Sequence, residues 1–225
     1  MSGQQPAELV RTNVYQRLRA DILSCTLRPG QQFQEREMVE RFEVSKSPIR
    51  DALLKLEEQG LVEVMPRKGY RVRRIDLADV RDMYEMRDML ERECVGRVID
   101  TASEKVLTTL APFRQAPDDM SLPGWLEYNR AFHSFFAIHC GNARLSRVAL
   151  EIIEQFDRLT YMSVTSPGET LMRFVDEHAR LIDAVIARNR REAVAIARDH
   201  VEGSRRRVLD SLESMSIVDT KPERV

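Results

Sequence analysis

The spacing of the apolar residues changes twice along this chain of 225 residues, and these changes limit the folds that it can adopt. Apolar residues recur at helical spacing at first, alternate with a period of two over residues 61–75, and then return to helical spacing. A short hairpin therefore separates a small helical segment from a long one. The sequence predicts a mainly α protein with domains over residues 1–75 and 76–214, followed by a flexible tail over residues 215–225.

The first domain reads as three helices followed by the hairpin. The segments "VYQRLRADIL", "EREMVERF" and "SPIRDALLKLEEQG" supply the helices, and we expect Ser47 to be the N-cap of the third, with Pro48 at its first helical position. This order of elements is typical of a winged helix-turn-helix, in which the start of the third helix enters the major groove of DNA.

The residues at the start of the third helix and on the hairpin are suited to DNA contact. Those at the helix start are short hydroxyls, which donate to phosphate, and long cations, which reach base edges: Ser45, Lys46, Ser47 and Arg50. The segment "PRKGYRVRR" of the hairpin carries five cations without one acid: Arg67, Lys68, Arg71, Arg73 and Arg74. Gly69 would allow its backbone to approach phosphate or the minor groove closely.

The distribution of charge agrees with a nucleic-acid partner for the first domain. The formal net charge is −1, but residues 1–75 hold 14 Lys and Arg against 10 Asp and Glu, whereas the remaining residues hold 21 against 26. The alternative is a small α+β protein-interaction domain whose basic hairpin is merely solvated. The order of elements, with cations at both expected contact points, favours DNA binding.

The second domain reads as an all-α antiparallel bundle of about six helices. The predicted segments are 77–102, 103–115, 121–140, 143–164, 168–189 and 190–213. No run of about 18 apolar residues occurs, and the N terminus lacks the features of a signal peptide, so we predict a cytoplasmic protein without a membrane partner. Three cysteines without CxxC spacing predict buried thiols rather than disulfides.

All four histidines lie in the helical domain, which raises the question of a metal site. Asn129 and His133 are one turn apart on one helix face, and His178 and His200 lie on two later helices. Three helices could therefore converge four donors in the core. His139 points away from His133 and serves as an internal contrast. From spacing alone, however, histidines on separate helices are more often unrelated, so a metal site and core histidines both remain open.

The N-terminal motif resembles a known family. The segment "RPGQQFQEREMVERFEVSKSPIRDALLKLEEQGLVEVMPRKGYRV" is similar to the DNA-binding domain of GntR-type bacterial transcription regulators. The resemblance implies DNA contacts at six positions: Arg36, Lys46, Ser47, Arg50, Lys68 and Gly69. Lys46 stands where the family more often has arginine, and a lysine cannot form a planar bidentate fork, so we expect softer base discrimination there.

Residues 76–214 resemble the FCD effector domain of the FadR subfamily, and about six helices suggest its shorter, VanR-like variant. In that domain a D-x-x-F-H motif and two later histidines bind a divalent cation, and "NRAFH" fills the motif here. The resemblance implies a bound cation, zinc first and nickel, iron or manganese as alternatives, with four ligands: Asn129, His133, His178 and His200. An asparagine in place of the usual aspartate leaves the ligand set neutral, which weakens metal retention and strengthens the attraction for an anion.

Arg87 and Glu91 lie in "YEMRDMLE", which resembles the opening element of the same domain. The functional interpretation is that Arg87 binds the carboxylate of an effector beside the metal. The plain alternative is an ordinary i,i+4 pair with Glu91.

The resemblance implies a homodimeric regulator that binds a two-fold related DNA operator and responds to a small carboxylate. Two alternatives were weighed against it. A metal-dependent enzyme with an appended DNA-binding domain lacks an evident general base beside a nucleophile. A metal-free regulator of acyl thioesters would not need the three histidines.

Overall fold

The computed structural model describes residues 7–166 and 168–214, so the predicted tail over residues 215–225 lies outside the described residues. The chain divides between Ile75 and Asp76 into two compact units. The mainly α fold is confirmed. Within the described residues, no helix combines the length and the apolar composition that crossing a membrane requires.

The first unit contains three helices and a small antiparallel sheet in the strand order β1-β3-β2. Its elements are α1 (Ala7–Leu23), β1 (Gln32–Phe33), α2 (Glu35–Phe42), α3 (Lys46–Glu58), β2 (Val62–Met65) and β3 (Gly69–Val72). The wing pairs Val62 with Val72, and β1 adds a third strand that sequence reasoning missed because it is two residues long. A core of fully buried aliphatic residues joins α1 to α3: Leu18, Ile22, Ile49, Leu53 and Leu56.

The start of α3 differs from the prediction. Ser45, in extended conformation, is the N-cap, so the helix begins at Lys46 and Pro48 is its third residue. The predicted N-cap at Ser47 is wrong. Proline is tolerated at this position because the amide groups of a first helical turn have no intrahelical acceptor, so the missing N–H breaks no bond. The shift brings Lys46 into the first turn of the helix.

The described residues of the second unit form seven α-helices. They are α4 (Leu77–Thr101), α5 (Glu104–Thr108), α6 (Leu122–His139), α7 (Ala143–Gln155), α8 (Asp157–Val164), α9 (Leu171–Ile186) and α10 (Arg190–Ser214), with a 3-10 turn at Ala111–Arg114. The expected count of about six is wrong because segment 143–164 breaks at Phe156, whose ring packs edge-on against Tyr84. Apolar spacing continues on both sides of this break and conceals it. The number of helices therefore gives no support for the shorter variant.

The two longest helices of the unit, α4 and α10, pack antiparallel. Tyr84, early in α4, shares a hydrogen bond of 2.8 Å with Ser204, late in α10, whereas Asp100, late in α4, pairs with Arg190, at the start of α10. Helices α6 and α9 pack against the same core, which is filled by large apolar side chains: Leu107, Leu110, Phe132, Phe136 and Leu181. This arrangement brings polar residues of α4, α6, α9 and α10 into the interior.

Candidate functional site

The predicted DNA contacts of the recognition helix are all on the surface. Ser45, Lys46, Ser47 and Arg50 are exposed at the first turns of α3, and Arg36 is exposed on α2. Arg50 pairs with Glu35 at 2.8 Å, and Arg36 pairs with Glu40 at the same distance. Exposed pairs of this kind contribute little to stability because water screens the charges, so either cation could exchange its partner for DNA.

The tip of the wing presents Arg67 and Lys68 to solvent. Gly69 has a φ of +93°, and a Cβ there would lie 2.5 Å from the carbonyl oxygen of Phe33. Glycine is therefore required at this position so that β3 can pack closely on β1, whatever Gly69 does toward DNA. Arg71, counted among the wing cations, pairs with Glu63 on the neighbouring strand at 2.6 Å.

Three histidines from three helices meet in the core of the second unit. His133 of α6, His178 of α9 and His200 of α10 place ring nitrogens within 4.8 Å of one another, and all three are buried. Their ring centroids form a nearly regular triangle with sides of 5.1 to 5.4 Å. Sequence spacing could not distinguish this cluster from unrelated core histidines. We call His133, His178 and His200 the histidine triad.

Each imidazole of the histidine triad has an outer partner at Nδ1. Glu91 accepts from His133 at 2.8 Å, Glu177 accepts from His200 at 2.8 Å, and the hydroxyl of Tyr128 lies 3.4 Å from His178. A carboxylate at Nδ1 fixes the tautomer in which Nε2 carries a lone pair. The buried Nε2 of His178 has no hydrogen-bond partner among the described residues. These features fit a divalent metal such as zinc, for which neutral imidazole nitrogens are ordinary ligands.

Sequence reasoning assigned no outer partner to any of these histidines. Glu177 is adjacent to His178, so its side chain points to another side of α9, and for that reason it reaches His200 on α10. Asp199, which is adjacent to His200, is exposed and pairs with Arg198 at 2.8 Å.

Burial holds two members of the triad in the neutral form that a metal requires. It lowers the pKa of His133 to about 4 and the pKa of His178 well below its ordinary value. Burial alone would raise the pKa of Glu91, but the nearby His133 and Arg87 outweigh it and lower that pKa. At neutral pH the group is therefore a charged Arg87–Glu91 pair beside a neutral His133.

Arg87 is part of this site rather than a surface residue. Its side chain is buried, its Nε donates to Glu91 at 3.1 Å, and its Nη2 lies 3.0 Å from Nε2 of His133. The guanidinium also covers the ring of Phe156 at 4.7 Å. The i,i+4 pair with Glu91 that the plain alternative expects is therefore present, and Arg87 contacts His133 in addition.

The remaining predicted residues of this region are placed as follows. Asn129 is buried on α6, one turn before His133. His139 lies at the end of α6, half-buried against Phe135, and does not belong to the triad. Cys94 helps to line a cavity of about 20 Å³ beside Arg87 and His133 whose walls are mostly apolar.

Two family models match the chain. Residues 10–72 match the model described as bacterial regulatory proteins of the gntR family, and residues 82–203 match the FCD domain. The chain belongs to the GntR family of bacterial regulatory proteins. It is a DNA-binding transcription regulator with an FCD domain, not an enzyme.

Individual proteins support this assignment. The GntR-family chain is 30% identical over 191 residues to the HTH-type transcriptional repressor RspR of Escherichia coli, with 82% of each protein covered. A solved GntR family member from Pseudomonas syringae aligns at a TM-score of 0.54 with 27% identity, over 96% of this chain and 91% of that one. The structure of McbR/YncC from Escherichia coli shares the fold, with a TM-score of 0.63 at 16% identity over 92% and 98% of the two chains.

The protonation states of the triad lead to a first prediction, which concerns the metal-free protein. The pKa of His133 is about 4 in the folded protein and about 6.5 when unfolded, so the unfolded state binds more protons between these values. The free energy of unfolding is therefore expected to decrease as the pH is lowered from about 6.5 to about 4. The contribution of His133 alone to this decrease is roughly 3 kcal/mol. Denaturant titrations at several pH values in this range measure the free energy of unfolding. The variant His133→Gln is the control, because it lacks the contribution of His133 to the pH dependence. A profile that is the same for both proteins would contradict it.

Proposed function

We propose that the histidine triad, together with Asn129, holds a divalent metal, and that a small carboxylate effector bound beside it controls operator binding. The observation that carries this proposal is the convergence of three imidazoles whose outer nitrogens are already held by Glu91, Tyr128 and Glu177. The inward Nε2 of His178 has no partner among the described residues, and that of His133 contacts Nη2 of Arg87, so a metal would satisfy the first nitrogen and displace Arg87 from the second. Zinc is the first candidate for the ion.

The bound ion would supply a positive charge that attracts the carboxylate of the effector. The ligand set of Asn129 and the triad is neutral, so the full charge of a divalent ion remains available to an anion. Arg87 stands beside His133 and offers a planar guanidinium, which matches a carboxylate in two parallel hydrogen bonds. In the described structure its Nη2 contacts the nitrogen that the metal would take, so metal binding would free this group for the effector.

At the DNA, we propose that two copies of the chain bind two related half-sites. The contacts would be made by Arg36, Ser45, Lys46, Ser47 and Arg50, and by Arg67, Lys68 and Gly69 of the wing. A single winged helix reads few base pairs, and a two-fold dimer doubles the site that is read. The effector would change operator affinity only through a difference in its affinity for the DNA-bound and free arrangements of the dimer.

Metal analysis combined with operator binding tests this function. The protein purified without chelators is expected to carry about one ion per chain, and adding a small carboxylate is expected to change operator affinity by roughly 5- to 150-fold, the usual range for coupled sites. A protein that carries no metal and responds to an acyl thioester would instead support the metal-free alternative.

A second prediction tests the role of Arg87. Arg87→Lys keeps the positive charge but loses the planar fork and its double hydrogen bond. We expect effector affinity to fall by roughly tenfold, while metal content stays unchanged because the triad is intact. Calorimetric titration of the metal-loaded variant measures this. An unchanged effector response would remove Arg87 from the effector site.

A further inference from the structure

The helix α10 carries three consecutive arginines, of which only the last is buried. Arg205 is partly exposed and pairs with Glu202, Arg206 is exposed, and Arg207 is only 9% exposed. In a helix, three successive residues face three directions, so the burial of Arg207 follows from its position on the inner face of α10. A buried arginine is expensive to accommodate, which makes its partners informative.

The direct contacts of Arg207 within the described residues are with uncharged groups. Its Nε donates to the hydroxyl of Ser163 at 2.9 Å, and its guanidinium lies over the ring of Phe174 at 4.7 Å. No carboxylate forms a salt bridge with it among residues 13–166 and 168–213, and its buried Nη2 has no hydrogen-bond partner there. Burial lowers the pKa of Arg207, although the negative charges of Glu177 and Glu169 act in the opposite direction. Arg87, by contrast, has Glu91.

A chain of hydroxyl groups begins at Ser163, which contacts this guanidinium. Ser204 contacts the hydroxyl of Ser163 at 3.4 Å and shares a hydrogen bond of 2.8 Å with Tyr84, and all three of these residues are buried. Hydroxyls can donate to an anion as readily as they accept from a cation. Together with the free Nη2 group, they make a set of donors suited to an oxyanion.

The position of Arg207 places this group beside the histidine triad. His200, Ser204 and Arg207 are spaced i, i+4 and i+7, so they share one face of α10. A Cβ on Gly203 would lie 3.2 Å from Nη1 of Arg207. The side chain of Arg207 therefore folds back along α10 to the level of Gly203. Along the axis of α10, Gly203 lies only about 4.5 Å beyond His200.

We propose that Arg207, Ser163 and Ser204 form a second anion subsite, so that the effector carries two anionic groups. One group binds at the metal and Arg87, and the other binds at Arg207. A short dicarboxylate meets this requirement, and a carboxylate joined to a phosphate has the same chemistry. The inference rests on the proposed function, because it takes the metal as the anchor of the first group.

The test compares probes that differ only in the second group. The metal-loaded full-length protein is titrated calorimetrically with succinate, with phosphonopropionate and with butyrate. We expect wild type to bind at least one of the two dianions roughly 10- to 100-fold more tightly than butyrate, since a hydrogen-bonded charge pair is worth about this factor. Arg207→Gln is expected to lose this preference while binding butyrate as wild type does. The matched control, Arg206→Gln, changes an exposed arginine and is expected to keep the preference.

A stability measurement separates this role from a structural one. Arg207→Met removes a buried charge that has no salt bridge among the described residues, so the thermal midpoint of the ligand-free protein is expected to stay the same or to rise. The rise in midpoint that the dianion produces should disappear. A lower midpoint together with an unchanged preference in Arg207→Gln would make Arg207 a structural residue and overturn the inference. Equal binding of all three probes by wild type, or binding of none, would also overturn it. Metal content and operator affinity of the same samples then report separately on the proposed function.

Discussion

Alanine at any member of the histidine triad is expected to abolish metal binding. His133, His178 and His200 each contribute one buried imidazole to the cluster, and each lies on a different helix, so no neighbouring side chain can replace the lost nitrogen. Replacing a residue that only orients a ligand typically costs 10- to 100-fold in metal affinity, so the loss of a ligand should exceed about 100-fold. Metal analysis after equilibrium dialysis measures this directly.

Two variants set the scale for that experiment. His139→Ala alters a histidine outside the triad and is expected to retain the full metal content. Glu177→Gln keeps the imidazole of His200 but weakens the hydrogen bond that orients it, so an intermediate loss of about 10- to 100-fold is expected. If all three triad variants carried as much metal as wild type, the triad would be a packing feature.

Arg50→Ala is expected to weaken specific operator binding by about 1–3 kcal/mol. Arg50 is exposed on α3 and pairs at the surface with Glu35, so its removal leaves the packed core of the domain intact. Fluorescence anisotropy with an operator duplex and a scrambled duplex measures the change. The loss should be confined to the operator, because base contacts carry the sequence information.

Lys68→Ala is the matched control on the wing. A phosphate contact is independent of sequence, so this variant should weaken binding to both duplexes alike and reduce the salt slope by about one unit. An Arg50→Ala protein that binds the operator as wild type does would show that the start of α3 does not read DNA bases.

The DNA-binding fold was predictable because its elements are local. Each helix of the first unit has its own apolar spacing, and the hairpin follows from a period of two, so only the two-residue β1 and the start of α3 were missed. The start was missed because Ser45 and Ser47 are both acceptable N-caps, and proline is allowed at either of the resulting positions.

The helical domain was less predictable because its site depends on packing. Spacing places Asn129 and His133 on one face, but it does not tell which face of α9 or α10 meets them. The pairing of Glu177 with His200 and the burial of Arg207 depend on those contacts between helices. The sequence does not indicate which of the three successive arginines is buried. The packing of α10 against its neighbours buries the third of them, Arg207.

In the proposed function the metal couples the effector to the operator, and this coupling is measurable. Operator affinity is measured by anisotropy for the metal-loaded protein and the chelator-stripped protein, each with and without saturating succinate. Linkage requires that an effector anchored on the metal should act only when the metal is present. We predict a change in operator affinity with succinate for the metal-loaded protein and none for the stripped protein. An equal response of both proteins, or of neither, would show that the metal does not couple the effector to the operator.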